Sequence, residues 1–216
     1  AIKGLGGGII HFIEKGDGGP DVWTTEFTPI GDAGEGAGLT GIDHLAQTTS
    51  YDEMLSWALF YSSLFNMNKA PMLDVIDPDG LVRSQALSAA DGALRITLNG
   101  AETHRTLAGK FLAGGFGSSL QHIAFSTADI FATARRLRAL GFEPLPMPGN
   151  YYDDLGARFD LPADQVARLK AGQILYDRDA TGEFFQLYSR PYGKGMFFEI
   201  VERRAGYQGF GAANAP

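Results

Sequence analysis

The sequence contains no cysteine among its 216 residues. This absence excludes disulfide bonds, zinc sites built from thiolates and catalysis by a cysteine nucleophile. Any metal ion bound by side chains must therefore be held by histidine and carboxylate ligands. Histidine is also scarce, with four residues in the chain, so few combinations of ligands are available.

Positive charge is in deficit as well, because 18 Lys and Arg face 25 Asp and Glu, giving a net charge of −7 at pH 7. Nucleic-acid-binding proteins neutralise phosphates with basic patches, so this balance argues against a nucleic-acid partner. No apolar run approaches the about 20 residues of a transmembrane helix. No signal peptide is recognisable. These absences predict a cytoplasmic protein with no membrane partner. The length of 216 residues allows one domain or two small fused modules.

Both ends of the sequence resemble truncation points within a longer polypeptide. The sequence begins with Ala1 rather than methionine, and residues 209–216 end it without a polar tail. We therefore expect a piece of a longer polypeptide, the alternative being a trimmed natural chain.

Three segments that we predict to be strands each carry one side chain able to bind a metal ion. The three side chains and their segments are His44 in residues 40–48, His122 in residues 118–126 and Glu199 in residues 195–203. Two imidazoles and one carboxylate are the ligand set of non-haem iron(II) oxygenases, which leave positions open for substrate. We expect the three strands to bring these groups to one ion. The alternative is two buried structural histidines and a glutamate paired with arginine.

The order of the predicted elements repeats, which favours the metal interpretation. The first copy comprises a strand at 40–48, a helix at 51–65 and strands near 71–76, 82–89 and 93–98. The second comprises a strand at 118–126, a helix at 128–140 that Thr127 or Asp129 can cap, a short strand at 142–146, and strands at 173–178, 183–189 and 195–203. His44 and His122 occupy equivalent first strands, 78 residues apart, and Glu199 follows 77 residues later on a last strand.

This pattern predicts an α+β protein of two βαβββ modules. We divide the chain into a terminal hairpin that belongs to a preceding module, the two modules, a helical insertion and a C-terminal segment. The corresponding residues are 1–28 for the hairpin, 38–100 and 117–203 for the modules, 149–171 for the insertion and 204–216 for the C-terminal segment. The hairpin is predicted from strands at 9–14 and 22–27 around the turn at 16–20, and residues 31–38 read as a flexible linker.

The remaining polar candidates fit the ligand pattern less well. Asp43 and Gln121 each precede a candidate ligand, and adjacent residues of a regular strand point to opposite faces. Neither can then bind the same ion, although Gln121 can still reach the edge of a pocket. We expect His11 and His104 to be surface or loop residues.

Residues 41–44, 120–125 and 197–200 resemble the three iron-binding stretches of 4-hydroxyphenylpyruvate dioxygenase, a family with the vicinal-oxygen-chelate fold. Further segments have counterparts there in the same order, namely residues 84–87, 98–99, 129–130, 151–152, 174–179, 185–187 and 209–211. The resemblance covers essentially the whole chain and matches the catalytic C-terminal half of that family. It implies an open half-barrel around a divalent metal held by His44, His122 and Glu199. Iron(II) is the first choice, with Mg, Mn, Co or Zn as alternatives.

The same resemblance implies a substrate pocket. Its polar residues would be Ser84, Asn99, Gln121 and Gln186, and Phe210 would close it from the C-terminal segment. The substrate would be a small-molecule 2-oxo acid or a metabolite of dehydroshikimate. We also expect a homo-oligomer.

Three positions depart from the dioxygenase pattern: Leu107 stands where those enzymes have a second glutamine, Tyr188 where they have phenylalanine, and Ala215 where they have a closing phenylalanine. These departures, and above all the ending over residues 209–216, resemble the dioxygenase-like C-terminal domain of bacterial two-domain 3-dehydroshikimate dehydratases. In those enzymes a separate N-terminal barrel converts 3-dehydroshikimate to protocatechuate, a lyase reaction of aromatic catabolism. The resemblance therefore implies a metal-binding domain of such an enzyme.

Two other functions stay open. The first is an iron(II)-dependent dioxygenase that acts on 4-hydroxyphenylpyruvate or a related arylpyruvate. The second is a relative that shares the fold but binds no metal.

Overall fold

The computed structural model describes residues 1–13, 21–28, 30–31, 34–77, 79–115, 117–211 and 214. Before the repeat lie β1 (Ile2–Lys3), β2 (Ile9–Ile10) and α1 (Val22–Glu26). The first module contains β3 (Leu39–Ser50), α2 (Tyr51–Leu64), β4 (Asn68–Lys69), β5 (Leu73–Asp77), β6 (Gly80–Ser88) and β7 (Arg95–Ala101), and α3 (Leu107–Gly114) follows it. The second contains β8 (Ser119–Thr127), α4 (Ile130–Ala139), α5 (Gly149–Phe159), α6 (Ala163–Gly172), β9 (Leu175–Arg178), β10 (Gly182–Tyr188) and β11 (Phe197–Ala205).

One mixed sheet joins the two modules. Its strand order is β4-β6-β7-β3-β8-β11-β10-β9, and β5 pairs with β6. In each module the first strand runs parallel to the last, β3 beside β7 and β8 beside β11. The two first strands pair antiparallel with each other at the centre of the sheet. The α+β class and the internal duplication predicted from the sequence are therefore observed.

Helices α2, α4, α5 and α6 cover one face of this sheet, whereas α3 lies at the other, concave face, where Ala108 packs on Val82 and Ala101. Under α2 lies a core formed by Met54, Ala58, Tyr61, Leu87, Ile96 and Leu98. Under α4, α5 and α6 lies a second core, which includes Ile130, Tyr152, Leu169, Phe185, Leu187 and Ile200. Because side chains alternate along a strand, the neighbours of these residues face the concave side. That side carries the groups considered below.

Of the two caps predicted for α4, Thr127 and Asp129, the structure uses Asp129. Its Oδ1 accepts a hydrogen bond of 3.0 Å from the backbone N–H of Ala132. Replacing such a cap by alanine costs about 1 kcal/mol. We expect Asp129→Ala to lower the free energy of unfolding by that amount in urea titrations. Asp154→Ala, on an exposed position within α5, is the control and should change it by less than about 0.5 kcal/mol.

Several local predictions were wrong. Residues 22–27 were predicted as a strand, but Val22–Glu26 form a helix that starts where Asp21 accepts a hydrogen bond from the backbone of Trp23. Of the strand predicted at 9–14, the described part forms only Ile9–Ile10, paired with Ile2–Lys3, and the turn at 16–20 lies outside the described residues. The strand at 142–146 is reduced to one bridge between Pro144 and Ser189.

The helix α3 was not predicted at all. Its sequence contains Gly109 and Gly114, which disfavour helix formation. The structure starts the helix at Thr106, whose Oγ1 accepts a hydrogen bond of 3.0 Å from Gly109. Gly109 also lies so close to the preceding loop that a Cβ there would come within 1.9 Å of the carbonyl oxygen of Thr103. Glycine is therefore needed for packing at a position where helix propensity disfavours it.

None of the helices in the described residues has the length and hydropathy needed to cross a membrane.

Candidate metal centre

His44, His122 and Glu199 meet on the concave face of the sheet. Each offers one ligand atom, and these atoms lie within 4.8 Å of one another. Oε2 of Glu199 is 3.2 Å from Nε2 of His44 and 3.3 Å from Nε2 of His122. The structure thus brings together the three side chains that the sequence placed on separate strands.

Strand register explains how they converge. Ala124 on β8 pairs with His44 on β3 on one side and with Glu199 on β11 on the other. His122 lies two residues before Ala124 and so shares its face of the sheet. Ala124 is fully buried and carries only a methyl group, which leaves room above it for the larger side chains.

Two irregularities in the pairing of β3 with β8 shape the surroundings of these three side chains. The register shifts between Ile42 and His44, so that Asp43 is an extra residue on β3, and again where Gln121 is extra on β8. A bulge of this kind turns a side chain away from the alternation of a regular strand. Asp43 consequently contacts His44, and Gln121 faces the same cavity as His122.

Asp43 contacts the imidazole of His44 on the side away from Glu199. Its Oδ1 lies 2.8 Å from Nδ1 of His44, and Arg203 donates two hydrogen bonds, of 2.8 and 2.9 Å, to its two oxygens. Burial would raise the pKa of Asp43, but the bonds with His44 and Arg203 outweigh burial and keep the pKa well below its usual range. Carboxylate partners of this type fix the orientation of metal-binding histidines. Nε2 of His44 is thereby left facing Glu199.

Glu199 is held by Gln186. Nε2 of Gln186 donates a hydrogen bond of 2.9 Å to Oε1 of Glu199, which leaves Oε2 to the two histidines. Burial would raise the pKa of Glu199, but the charge of His44 and the hydrogen bonds from His122 and His44 outweigh it and lower the pKa to about 2. For His44, burial is likewise outweighed by the Glu199 charge and the bond to Asp43, and its pKa rises to about 9. Without a metal, a proton on His44 therefore compensates the buried carboxylate.

His122 is oriented differently. Its ring stacks on Phe197 with centroids 4.6 Å apart, and its Nδ1 is buried with no hydrogen-bond partner in the part of the chain that is described. Burial lowers the pKa of His122. The imidazole is accordingly neutral, which is the form that binds metal ions.

A cavity of about 590 Å³ opens beside these groups. Of the predicted pocket residues, Ser84, Asn99, Gln121 and Phe210 line it. Ser84 and Asn99 are direct partners on β6 and β7, and Gln121 accepts a hydrogen bond of 2.9 Å from Thr48. The ring of Phe210 stands edge-on to His44 at 5.1 Å. The cavity therefore combines an aromatic ring beside His44 with a few amide and hydroxyl groups.

The structure places Gln186 elsewhere than predicted. It is fully buried and does not line the cavity; its amide lies behind Glu199 and also donates to the hydroxyl of Tyr188 at 2.9 Å. Conversely, Phe111 and Lys110 of α3 line the cavity and were not predicted, because the helix itself was missed. His11 and His104 are exposed, as expected.

Residues 41–182 match the model of the Glyoxalase/Bleomycin resistance protein/Dioxygenase superfamily. The chain belongs to this superfamily. The predicted vicinal-oxygen-chelate fold, an open half-barrel in a mixed sheet, is confirmed with it.

Named relatives agree with both predicted resemblances. The chain is 40% identical over 215 residues to a 3-dehydroshikimate dehydratase of Pseudomonas putida, covering 99% of this chain and 34% of that protein. It is 34% identical over 220 residues to a 4-hydroxyphenylpyruvate dioxygenase of Legionella pneumophila, covering 99% of this chain and 62% of that protein. A solved structure of a xylose isomerase-like TIM barrel/4-hydroxyphenylpyruvate dioxygenase fusion protein matches with a TM-score of 0.71 and 42% identity, over 82% of this chain and 28% of that one. The chain thus spans about a third of the dehydratase relative.

The donor set fits a divalent metal ion. A buried carboxylate faces two imidazole Nε2 atoms, an arrangement that needs either a proton or a cation between them. Two neutral nitrogens and one anionic oxygen suit a divalent transition metal and leave further positions free. Membership of the superfamily and the cluster together point to a divalent metal at this site.

Proposed function

We propose that this chain is the metal-binding, dioxygenase-like domain of a 3-dehydroshikimate dehydratase. The dehydration of 3-dehydroshikimate to protocatechuate would take place in a preceding domain of the same polypeptide. The observation that carries this proposal is 40% identity along 99% of the chain to a dehydratase of which the chain spans only 34%. The barrel/dioxygenase fusion among the solved structures supports the same arrangement. A homo-oligomer and a cytoplasmic location remain predictions.

His44, His122 and Glu199 are the proposed ligands, and iron(II) is the proposed ion. When bound, such an ion supplies open positions that a bidentate 2-oxo acid and dioxygen can occupy. Asp43 and Gln186 would hold two of the ligands in place. Phe210 would keep water away from His44, since its ring covers that side of the site.

The pocket is poorly suited to a phenolic substrate. Ser84, Asn99 and Gln121 offer hydrogen bonds, but Leu107 on the cavity wall offers none, and Gln186 is engaged behind Glu199. Loss of one hydrogen bond in a buried pocket commonly costs about 1–3 kcal/mol. We therefore propose that the cavity accepts a small 2-oxo acid or a metabolite related to dehydroshikimate rather than 4-hydroxyphenylpyruvate.

Two assays, each on two proteins, test this proposal. The chain reconstituted with iron(II) under anaerobic conditions should retain about one metal per chain, and His122→Ala should lose it. The chain alone should not form protocatechuate from 3-dehydroshikimate, whereas the polypeptide that includes the preceding domain should. Unchanged metal content in His122→Ala would contradict the metal site. Dehydration of 3-dehydroshikimate by the chain alone would contradict the assignment of that reaction to a preceding domain.

A second function is favoured by two observations. The ligand set and 34% identity along 99% of the chain to a 4-hydroxyphenylpyruvate dioxygenase support an iron(II)-dependent dioxygenase for that substrate or a related arylpyruvate. Oxygen uptake by the iron(II)-loaded chain with 4-hydroxyphenylpyruvate distinguishes the two. We expect uptake near the rate without substrate. Sustained turnover would replace the first proposal by the second.

A further inference from the structure

The last described part of the chain contacts the candidate metal centre from two sides. We call residues 207–211 together with Asn214 the closing segment. Phe210 of this segment lies on the cavity wall against His44. Two other residues of the segment, Gly209 and Asn214, contact Arg203 and Gln186, which bond to Asp43 and Glu199.

The first connection runs through Arg203. Its guanidinium donates to both oxygens of Asp43, and Asp43 in turn contacts Nδ1 of His44. The same guanidinium donates to the carbonyl oxygen of Gly209 and lies 5.1 Å from the centre of the Phe210 ring. One side chain therefore joins the group that orients His44 to the closing segment.

The second connection runs through Asn214. Its Nδ2 donates to Oε1 of Gln186 at 3.0 Å, and Nε2 of Gln186 donates to Glu199. Oδ1 of Asn214 accepts a hydrogen bond of 3.1 Å from Tyr151, and Asn214 is only 5% exposed. Because the amide of Gln186 has one oxygen and one NH2 group, the bond from Asn214 fixes which of them faces Glu199.

The third ligand differs from the other two. Nδ1 of His122 has no partner among the described residues, so no chain of hydrogen bonds leads from that atom to the closing segment. The connections through Arg203 and Asn214 are therefore specific to His44 and Glu199.

We infer that Arg203 and Asn214 are positioning residues for these two ligands, and that docking of the closing segment is coupled to metal binding. A bound ion would hold His44 and Glu199 in the arrangement that the segment recognises, and the docked segment would in return strengthen metal binding. Such coupling is reciprocal by thermodynamic necessity. The inference rests on the metal-binding part of the proposed function and adds two residues that do not themselves bind the ion.

Hydrogen exchange of the unmodified chain gives the first test, with cobalt(II) as the probe. Binding of cobalt(II) should slow exchange of the backbone amides in residues 207–211 at least about tenfold, including that of Gly211, which donates to the hydroxyl of Tyr207. Unchanged exchange in that segment while cobalt(II) is bound would overturn the coupling alone. Failure of the chain to bind cobalt(II) at all would instead overturn the metal site.

Variants give the second test. Asn214→Ala and Arg203→Met should each weaken cobalt(II) binding about tenfold or more, alter its visible absorption spectrum and remove the protection of residues 207–211 by the metal. Arg203→Lys keeps the charge but not the paired donors, and should recover part of the affinity.

Arg204→Met is the matched control. Arg204 is the next residue on β11, but it contacts Glu202 and Glu183 and not the metal centre. The Arg204→Met protein should bind cobalt(II) with an affinity within about twofold of that of the unmodified chain, and its visible absorption spectrum should be unchanged. If Arg203→Met does not fold, Asn214→Ala decides, because it leaves the ion pair with Asp43 intact. An affinity within twofold and an unchanged spectrum in Asn214→Ala would overturn the inference.

Discussion

Glu199→Gln is expected to weaken binding of a divalent metal about a thousandfold, which corresponds to about 4 kcal/mol. Oε2 of Glu199 faces Nε2 of both histidines and carries the one negative charge of the ligand set. Glutamine has the same shape and can still accept the hydrogen bond from Gln186, so the change removes charge rather than packing. Titration with cobalt(II), followed by absorption and by metal analysis after dialysis, measures the effect.

Glu202→Gln is the matched control for this substitution. Glu202 is also buried on β11, but it accepts hydrogen bonds from the backbone of Ile130 and from Arg204 on the far side of the strand. We expect this variant to lose about 1–3 kcal/mol of stability in urea while binding cobalt(II) as before. A Glu199→Gln protein that binds cobalt(II) within tenfold of the unmodified chain would show that Glu199 is not a ligand.

The convergence of the three proposed ligands could be predicted because each depends on a short, regular feature. His44 and His122 lie in the first strands of two copies of one pattern, and the β-sheet pairs those strands side by side. Glu199 lies on a strand whose parallel pairing with β8 follows from the same pattern. Repetition thus supplied the long-range information that a single strand lacks.

The groups behind the ligands could not be predicted in this way. Asp43 reaches His44 only because a bulge breaks the alternation of β3, and bulges depend on the pairing partner rather than on local sequence. The position of Gln186 depends on a bond from Asn214, which lies 28 residues later. The strand predicted at 22–27 failed for the opposite reason, because Asp21 offers a helix cap in the local sequence and the strand prediction did not take it into account.

Gly211→Ala is expected to disturb both folding and metal binding. Gly211 has a φ of 57°, a left-handed conformation that alanine adopts at a cost, and an added Cβ would lie 2.3 Å from Oε1 of Gln186. Gln186 cannot move aside freely, because it is fully buried and bound to Glu199 and Asn214. We expect a loss of about 2–4 kcal/mol in the free energy of unfolding. Metal affinity should fall about 10–100-fold, as it does when groups that hold the ligands are displaced.

Gly206→Ala separates this effect from a general intolerance of side chains near the C-terminus. A Cβ at Gly206 would meet Thr181 at 3.4 and 3.6 Å, which is ordinary contact. Stability should therefore change by less than about 0.5–1 kcal/mol and cobalt(II) affinity should be unchanged. Urea unfolding of the metal-free proteins and cobalt(II) titration give both quantities. If Gly211→Ala is as stable as Gly206→Ala and binds cobalt(II) equally well, the close contact of Gly211 with Gln186 does not affect the orientation of Glu199.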